Sequence, residues 1–311
     1  MFRRKVQAPG LTGLALGDQH FTLAHVTRQR DQILLDQCVQ VEFRNPQQLR
    51  ETLPGQVAEM NLQGSACNAV LGARDYNLYL VESPAVEPDE LRAAVRWKIK
   101  DLIDIPAEDA VIDIFPVPED AFQGRSKMLY VVAAVKSRVE QLIELCQRAD
   151  LELAAIDIPE MAMRNITQRF ANDDNSLAFV ALKSQGSTMN ITRHGNLYLA
   201  RKINTQLGPN VVNSHEWESL RDRLVLEIQR SLDYYESQMG QDPVSRILIA
   251  PRGNDTQAIV ESLREAMSVP VAALDFAAEF ESSAEISDET KNACMLVLGA
   301  SLRSDLLMAG G

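Results

Sequence analysis

Leu11-Thr12-Gly13-Leu14-Ala15-Leu16, then Gly17-Asp18-Gln19, then His20-Phe21-Thr22-Leu23-Ala24-His25-Val26 reads as two apolar runs about a short polar turn. This stretch decides the fold because the chain writes its pattern twice. A second break at 28–31 leads into a third run at 33–43. Farther on, the run 179–182 breaks at Ser184-Gln185-Gly186, the run 188–192 breaks at Arg193-His194-Gly195-Asn196, and 197–203 follows. Runs rich in Val, Ile, Leu, Phe, Tyr and Thr between tight polar turns predict antiparallel hairpins. A three-strand meander repeated about half a chain apart predicts two lobes of related build facing each other across a cleft.

That is the plan of the α/β actin-like (ribonuclease H-like) nucleotide-binding fold. Its phosphate-handling residues are mostly missing. In that fold the turn between the first two strands of each lobe holds phosphate on backbone N–H groups, and an acid just before the turn glycine positions a metal and its waters. Here Ala15 stands where the first acid is expected, and Ala181-Leu182-Lys183 offers neither acid nor glycine. Asp18 lies past the glycine, inside the turn, where Asp is common for its local hydrogen bonding.

The 311 residues exceed what one core organises, so several subdomains are expected. A net charge of −12 argues against a nucleic-acid binder and against broad adhesion to an anionic membrane. Cys38, Cys67, Cys146 and Cys294 show no C-x-x-C spacing, and His20, His25, His194 and His215 show no ligand pattern, so reduced core thiols and no metal site are expected. No apolar run reaches the roughly 18 residues of a membrane span. The start, Phe2-Arg3-Arg4-Lys5, lacks the apolar region of a secretion signal.

Between the repeats, a polar-rich helix is predicted at 46–60, interrupted near Pro54-Gly55, followed by strands at 66–71 and 77–81. Ser83-Pro84 opens a helix–strand–strand–helix segment. Leu91, Val95, Ile99 and Leu102 form its core stripe, with Trp97 off that stripe as a second packing surface or a docking point. The resulting domain reading is a first lobe at 1–82 and 153–172, an α+β insert at 83–152, and a second lobe at 173–311 with a helical insertion near 205–243. The longest helix signal, 217–239, carries Glu227, Arg230 and Tyr234 on one face.

The run Glu227-Ile228-Gln229-Arg230-Ser231-Leu232-Asp233-Tyr234-Tyr235-Glu236-Ser237-Gln238 resembles the signature helix of the PilM/MshI family of type IV pilus biogenesis proteins. Asp89-Glu90-Leu91, Trp97-Lys98-Ile99 and Ile105-Pro106 resemble that family's extra subdomain, and 293–303 its closing helix. The likeness spans almost the whole chain, and its weakness at the nucleotide motifs points to the MshI branch, of mannose-sensitive haemagglutinin (MSHA) pilus biogenesis. The resemblance implies an actin-like fold related to the cell-division protein FtsA. It also implies a cytoplasmic protein, at the inner face of the inner membrane, that docks the short cytoplasmic N-terminal tail of a bitopic inner-membrane partner.

Relatives generally bind ATP, and here the sequence departs from them. Both acids are alanines, the lysine after the first turn is Thr22, and the adenosine loop reads Ala250-Pro251-Arg252-Gly253. Proline removes an N–H donor and Arg252 adds bulk where glycines would let the backbone approach a base. Glu227 and Arg230 match the helix positions from which relatives reach the ribose and base, and an i, i+3 salt bridge on a solvated face is the plainer reading of the pair.

A vestigial nucleotide cleft would therefore comprise Gly17, Asp18, Gly186, Glu227 and Arg230. The leading expectation is a non-catalytic scaffold that binds a peptide in a groove between the first lobe and the insert, near Leu91, Val95 and Trp97, with no cofactor. The alternatives are an ATP- and magnesium-dependent switch in the same assembly and, more remotely, a sugar or acetate kinase of the same superfamily.

Overall fold

The computed structural model describes residues 9–29, 32–122, 126–171, 175–184, 187–282 and 285–303. The basic start and Gly186 lie outside the described residues. The chain runs β1 (Leu11–Leu16), β2 (His20–Gln29), β3 (Gln32–Glu42), α1 (Pro46–Glu59), β4 (Ala66–Val70), β5 (Tyr76–Glu82), α2 (Leu91–Ile99), β6 (Ala110–Pro116), β7 (Met128–Val135), α3 (Lys136–Arg148), β8 (Glu152–Asp157) and α4 (Pro159–Phe170). It continues as β9 (Leu177–Ala181), β10 (Ser187–Arg193), β11 (Asn196–Ile203), α5 (Trp217–Ser237), β12 (Arg246–Ile249), α6 (Thr256–Ala266), β13 (Val271–Ala273), α7 (Asp288–Ala293) and α8 (Met295–Ser301).

The two meanders grow into sheets of one topology. The first has the order β3-β2-β1-β4-β8, the second β11-β10-β9-β12-β13. In each, the three meander strands pair antiparallel, and the first meander strand is joined by two parallel neighbours on its other side. β1 and β9 are central and covered on both faces, which is why they read as nearly unbroken apolar runs rather than alternating ones. The internal repeat of the sequence is thus a repeat of fold.

The described residues form two compact units. One comprises those up to Pro116, those from Ser126 to Ala162, and those from Phe280 onward; the other comprises 117–122 and the described residues from Met163 to Glu279. This corrects the reading of 173–311 as one lobe. α7 and α8 belong with the first sheet, α8 packing on β1, β2 and β4 and α7 on β3. Gly13 permits the close crossing, since a Cβ built there would lie 2.0 Å from the Val297 carbonyl oxygen. The buried Asn68 amide nitrogen donates to Asp157 Oδ2 (2.9 Å) and to the Ala300 carbonyl (3.0 Å), and Arg303 pairs with Asp157 Oδ1 at 3.3 Å. These contacts join residues 89 to 232 apart in sequence, which local patterning does not register.

The insert also differs from its predicted bounds. β5 leaves the main body to pair with β7, giving a three-stranded sheet ordered β5-β7-β6. α3, read as part of the insert, places Leu142, Leu145 and Cys146 in the core beneath the first sheet. α2 ends at Ile99, so Leu102 falls outside the helix and is 52% exposed. α1 runs through Pro54 unbroken: its Leu49, Leu53 and Val57 face is buried, and the carbonyl freed by proline belongs to the exposed Arg50.

All four cysteines are buried free thiols, in two facing pairs. Cys38 lies beside Cys294 and Cys67 beside Cys146, close enough for each thiol to shift its neighbour's ionisation, and the Cys294 thiol donates to the Leu23 carbonyl at 3.9 Å. Nearby, His25 Nε2 donates to the Pro9 carbonyl at 3.0 Å, so Nδ1 is left to accept from the Thr12 hydroxyl at 2.9 Å, which is itself 2.9 Å from Ser65 Oγ. Burial holds the His25 imidazole below its ordinary value of 6.5, against the opposing pull of Pro9 and Asp36.

Two outcomes follow from this packing. Gly13→Ala forces the α8 backbone off β1 and lowers stability by about 3 kcal/mol in chemical denaturation. Because the unfolded chain binds a proton at His25 more readily than the folded one, stability is lost as pH falls below 6.5. In His25→Gln, the part of the decline between pH 7.5 and 5.5 owed to this residue disappears from denaturation midpoints.

Candidate functional site

In open α/β sheets, ligands bind outside the carboxyl ends of the strands, where neighbouring strands send their connections in different directions. In the second unit that point lies between the parallel neighbours β9 and β12. After β9 the chain turns back through Leu182 toward β10, whereas after β12 it passes through Ala250-Pro251-Arg252-Gly253 into α6. Gly253 takes a φ of +65°, a conformation suited to glycine that lets the loop turn tightly into the helix.

The crevice is occupied by the chain itself. Arg252 Nε donates to the Leu182 carbonyl at 3.3 Å, and Nη2 donates to the carbonyls of Leu207 and, at 2.6 Å, Gly208. Nη1 lies 3.3 Å from Asp255 Oδ2, and this carboxylate also accepts from the Val211 N–H at 3.2 Å. The Arg252 backbone N–H is spent on Thr256 Oγ1 at 2.7 Å. With side-chain exposures of 13% and 7%, Arg252 and Asp255 are an inward-facing pair. One guanidinium thereby gathers the connections that follow β9, β11 and β12. The sequence reading recognised Arg252 as bulk in the adenosine loop but missed these partners, which come from loops 44 to 70 residues away.

The positions that would carry acids carry buried methyls: Ala15 pairs with Thr22 and Val70, and Ala181 with Thr188. Among the described residues no group of three or more His, Cys, Asp or Glu side chains could hold a metal ion. Gly17 spends its N–H on the His20 carbonyl at 2.7 Å, closing the β1–β2 turn, so this donor is not presented to a ligand. Asp18 is exposed, 3.5 Å from Arg74.

Glu227 and Arg230 share an open pocket of about 230 Å³ in the second unit, with Arg201, Lys202, Ile203 and Tyr234. The expected i, i+3 salt bridge does not form. Glu227 Oε2 accepts from the Asn204 N–H and Oε1 from the Thr205 hydroxyl, both at 2.8 Å, so the carboxylate pins the connection after β11. Arg201 and Lys202 went unnoticed in the sequence; their only signal there was two adjacent cations at a strand end.

The residues proposed for peptide docking separate. Val95 is fully buried with Ile99 against Val81, Leu129 and Val131, so it is core and is withdrawn as a surface contact. Leu91 is half-buried against the same core. Trp97 is 74% exposed, with Lys100 Nζ 5.5 Å from its ring centroid. Four of the five large exposed apolar side chains among the described residues, Val86, Trp97, Leu102 and Val111, fall in the insert.

No protein-family model matches the chain, and no curated protein does. Solved structures do. A chain of the PilM–PilN type IV pilus biogenesis complex is 15% identical and superposes with a TM-score of 0.71, over 97% of this chain and 98% of that one. A Bacteroides thetaiotaomicron protein with an actin-like ATPase fold and unknown function is 9% identical, with a TM-score of 0.51 over 88% and 94% of the two chains. The cytoplasmic domain of EpsL, an inner-membrane component of the Vibrio cholerae type II secretion system, is 10% identical, with a TM-score of 0.50 over 92% and 93%. Together with the two sheets of identical strand order, these likenesses establish a duplicated actin-like fold carrying an α+β insert.

Proposed function

We propose that this protein is a non-catalytic scaffold of type IV, MSHA-type pilus assembly, which docks the cytoplasmic tail of a PilN-like inner-membrane protein. The observation that carries the reading is the Arg252 guanidinium, hydrogen-bonded into the crevice where an actin-like unit would admit a ligand. A site filled by its own arginine, with methyls at both metal-positioning positions, has lost the parts that phosphoryl transfer needs, since that chemistry rests on positioned cations and oriented backbone donors. The fold-wide likeness to a chain of the PilM–PilN complex supports the assembly role, and the exposed apolar side chains of the insert support a docking surface there.

In this reading Trp97 and Leu91 lie at the docking surface and Val95 supports it from below. An extended or amphipathic tail would bury the Trp97 ring, a type of side chain that commonly anchors interfaces. No described helix is long and apolar enough to cross a membrane, so the proposed placement at the inner face of the inner membrane depends on the partner.

Calorimetric titration of the full chain with ATP, with and without magnesium, is expected to give no binding heat. Micromolar, magnesium-dependent binding would replace the scaffold with an ATP-gated switch. Arg252→Ala leaves the buried Asp255 carboxylate without its cation and costs about 3 kcal/mol of stability. Trp97→Ala is expected to weaken binding of a synthetic PilN-type tail peptide at least tenfold in fluorescence anisotropy while leaving the melting temperature unchanged.

A further inference from the structure

The pocket containing Glu227 and Arg230 has an electrostatic character at odds with the rest of the chain. The protein carries 43 acidic against 31 basic residues. Elsewhere on the surface exposed arginines meet an acid, as in Arg74 with Asp18, Arg92 with Asp113, Arg138 with Asp75 and Arg148 with Glu144. Arg201, Lys202 and Arg230 instead converge on one opening, and none of the three forms an ion pair among the described residues. The one acid in the wall, Glu227, has both oxygens engaged by Asn204 and Thr205.

The opening is also braced. The Arg201 guanidinium carbon lies 4.5 Å from the centroid of the Tyr234 ring, which fixes the planar cation while leaving its N–H edge for a ligand. Tyr234 meets Phe122 edge-on at 6.4 Å. Phe122 sits at φ +59°, unusual for a side chain of its size, and its N–H bonds the Met239 carbonyl at 3.0 Å. Asp120, two residues earlier, accepts from the Tyr198 hydroxyl at 2.8 Å, and its carbonyl accepts from Gln241 Nε2 at 2.8 Å. The loop behind the aromatic pair is therefore held at several points, so Tyr234 and Arg201 stand on a fixed support.

We infer that this pocket is a second docking point, which takes the carboxylate side chains of an acidic, extended segment of a protein partner. Three cations with an apolar floor at Ile203 suit one or two carboxylates, which guanidinium groups bind through paired N–H donors. A volume of about 230 Å³ admits side chains, not a folded surface. Arg and Tyr together are the composition of interface anchors. Charge supplies the selectivity: an acidic segment is repelled by most of this protein and attracted here. The inference shares with the scaffold reading only that the ligand is a protein segment; from the β6–β7 connection it uses Asp120 and Phe122 as support, and it uses none of the docking residues Leu91, Val95 and Trp97.

The probe is a fluorescein-labelled dodecapeptide with a central Glu-Glu-Asp-Asp run flanked by Gly and Ser, titrated with the full chain by anisotropy. Its Gln-Gln-Asn-Asn counterpart is the control. The acidic peptide is expected to bind at least tenfold more tightly than the control, and more weakly as salt is raised. Arg201→Glu combined with Arg230→Glu should abolish the difference, Arg230→Lys should largely keep it, and Trp97→Ala should leave it untouched. Thermal melts of each variant separate loss of binding from loss of fold. Equal binding of the two peptides, or binding indifferent to the charge reversal, overturns the inference. So does selective binding of pyrophosphate or of anionic phosphatidylglycerol vesicles in place of the peptide. Loss of PilN-type tail binding with the acidic-peptide difference intact would count against the insert surface alone.

Discussion

The missing side chain at Gly13 is the constraint on which the first unit depends. A strand at the centre of a sheet can be crossed by a helix at backbone distance only where no Cβ intervenes, and α8 crosses β1 where a Cβ would meet the Val297 carbonyl at 2.0 Å. With α8 seated there, the buried Asn68 amide nitrogen donates to the Ala300 carbonyl, Asp157 pairs with Arg303, and Cys294 comes beside Cys38. The first unit is consequently built from both ends of the chain. Its last helix closes a core that the first strand begins.

The second unit repeats the sheet but resolves its open crevice differently. Where strands of an actin-like unit leave their carboxyl ends free, three connections here are drawn onto one arginine. Buried carbonyls need donors, and a guanidinium offers five N–H groups in a planar fork that can serve several loops at once. The side chain that fills the crevice also cross-links the loops around it. One residue thus both fills the crevice and ties its three connections together, which suits a protein whose proposed work is to present surfaces.

Those surfaces are of opposite kinds. The insert shows apolar groups, Trp97 foremost, while the pocket beside α5 shows cations supported by aromatic rings. Apolar contacts depend on area and shape, whereas charged ones act at longer range and set which partner is approached.

The duplicated meander was legible because strand periodicity and turn residues are local properties: residues 11–43 and 177–203 announce their hairpins without reference to anything distant. Ala15, Ala181 and Arg252 likewise told, at the level of residue types, that the phosphate motifs had changed. Sequence alone could not place α7 and α8 with the first sheet, send β5 into the insert, turn Glu227 toward Asn204 and Thr205 rather than Arg230, or separate buried Val95 from exposed Trp97. Each of those outcomes depends on which groups compete for the same space or the same hydrogen bond after distant segments have come together. Local pattern set the repeated strands and the residue types at their turns, whereas what occupies the crevice and which cations stay without an acid were settled only by folding, because burial and hydrogen-bond pairing are properties of neighbours in space.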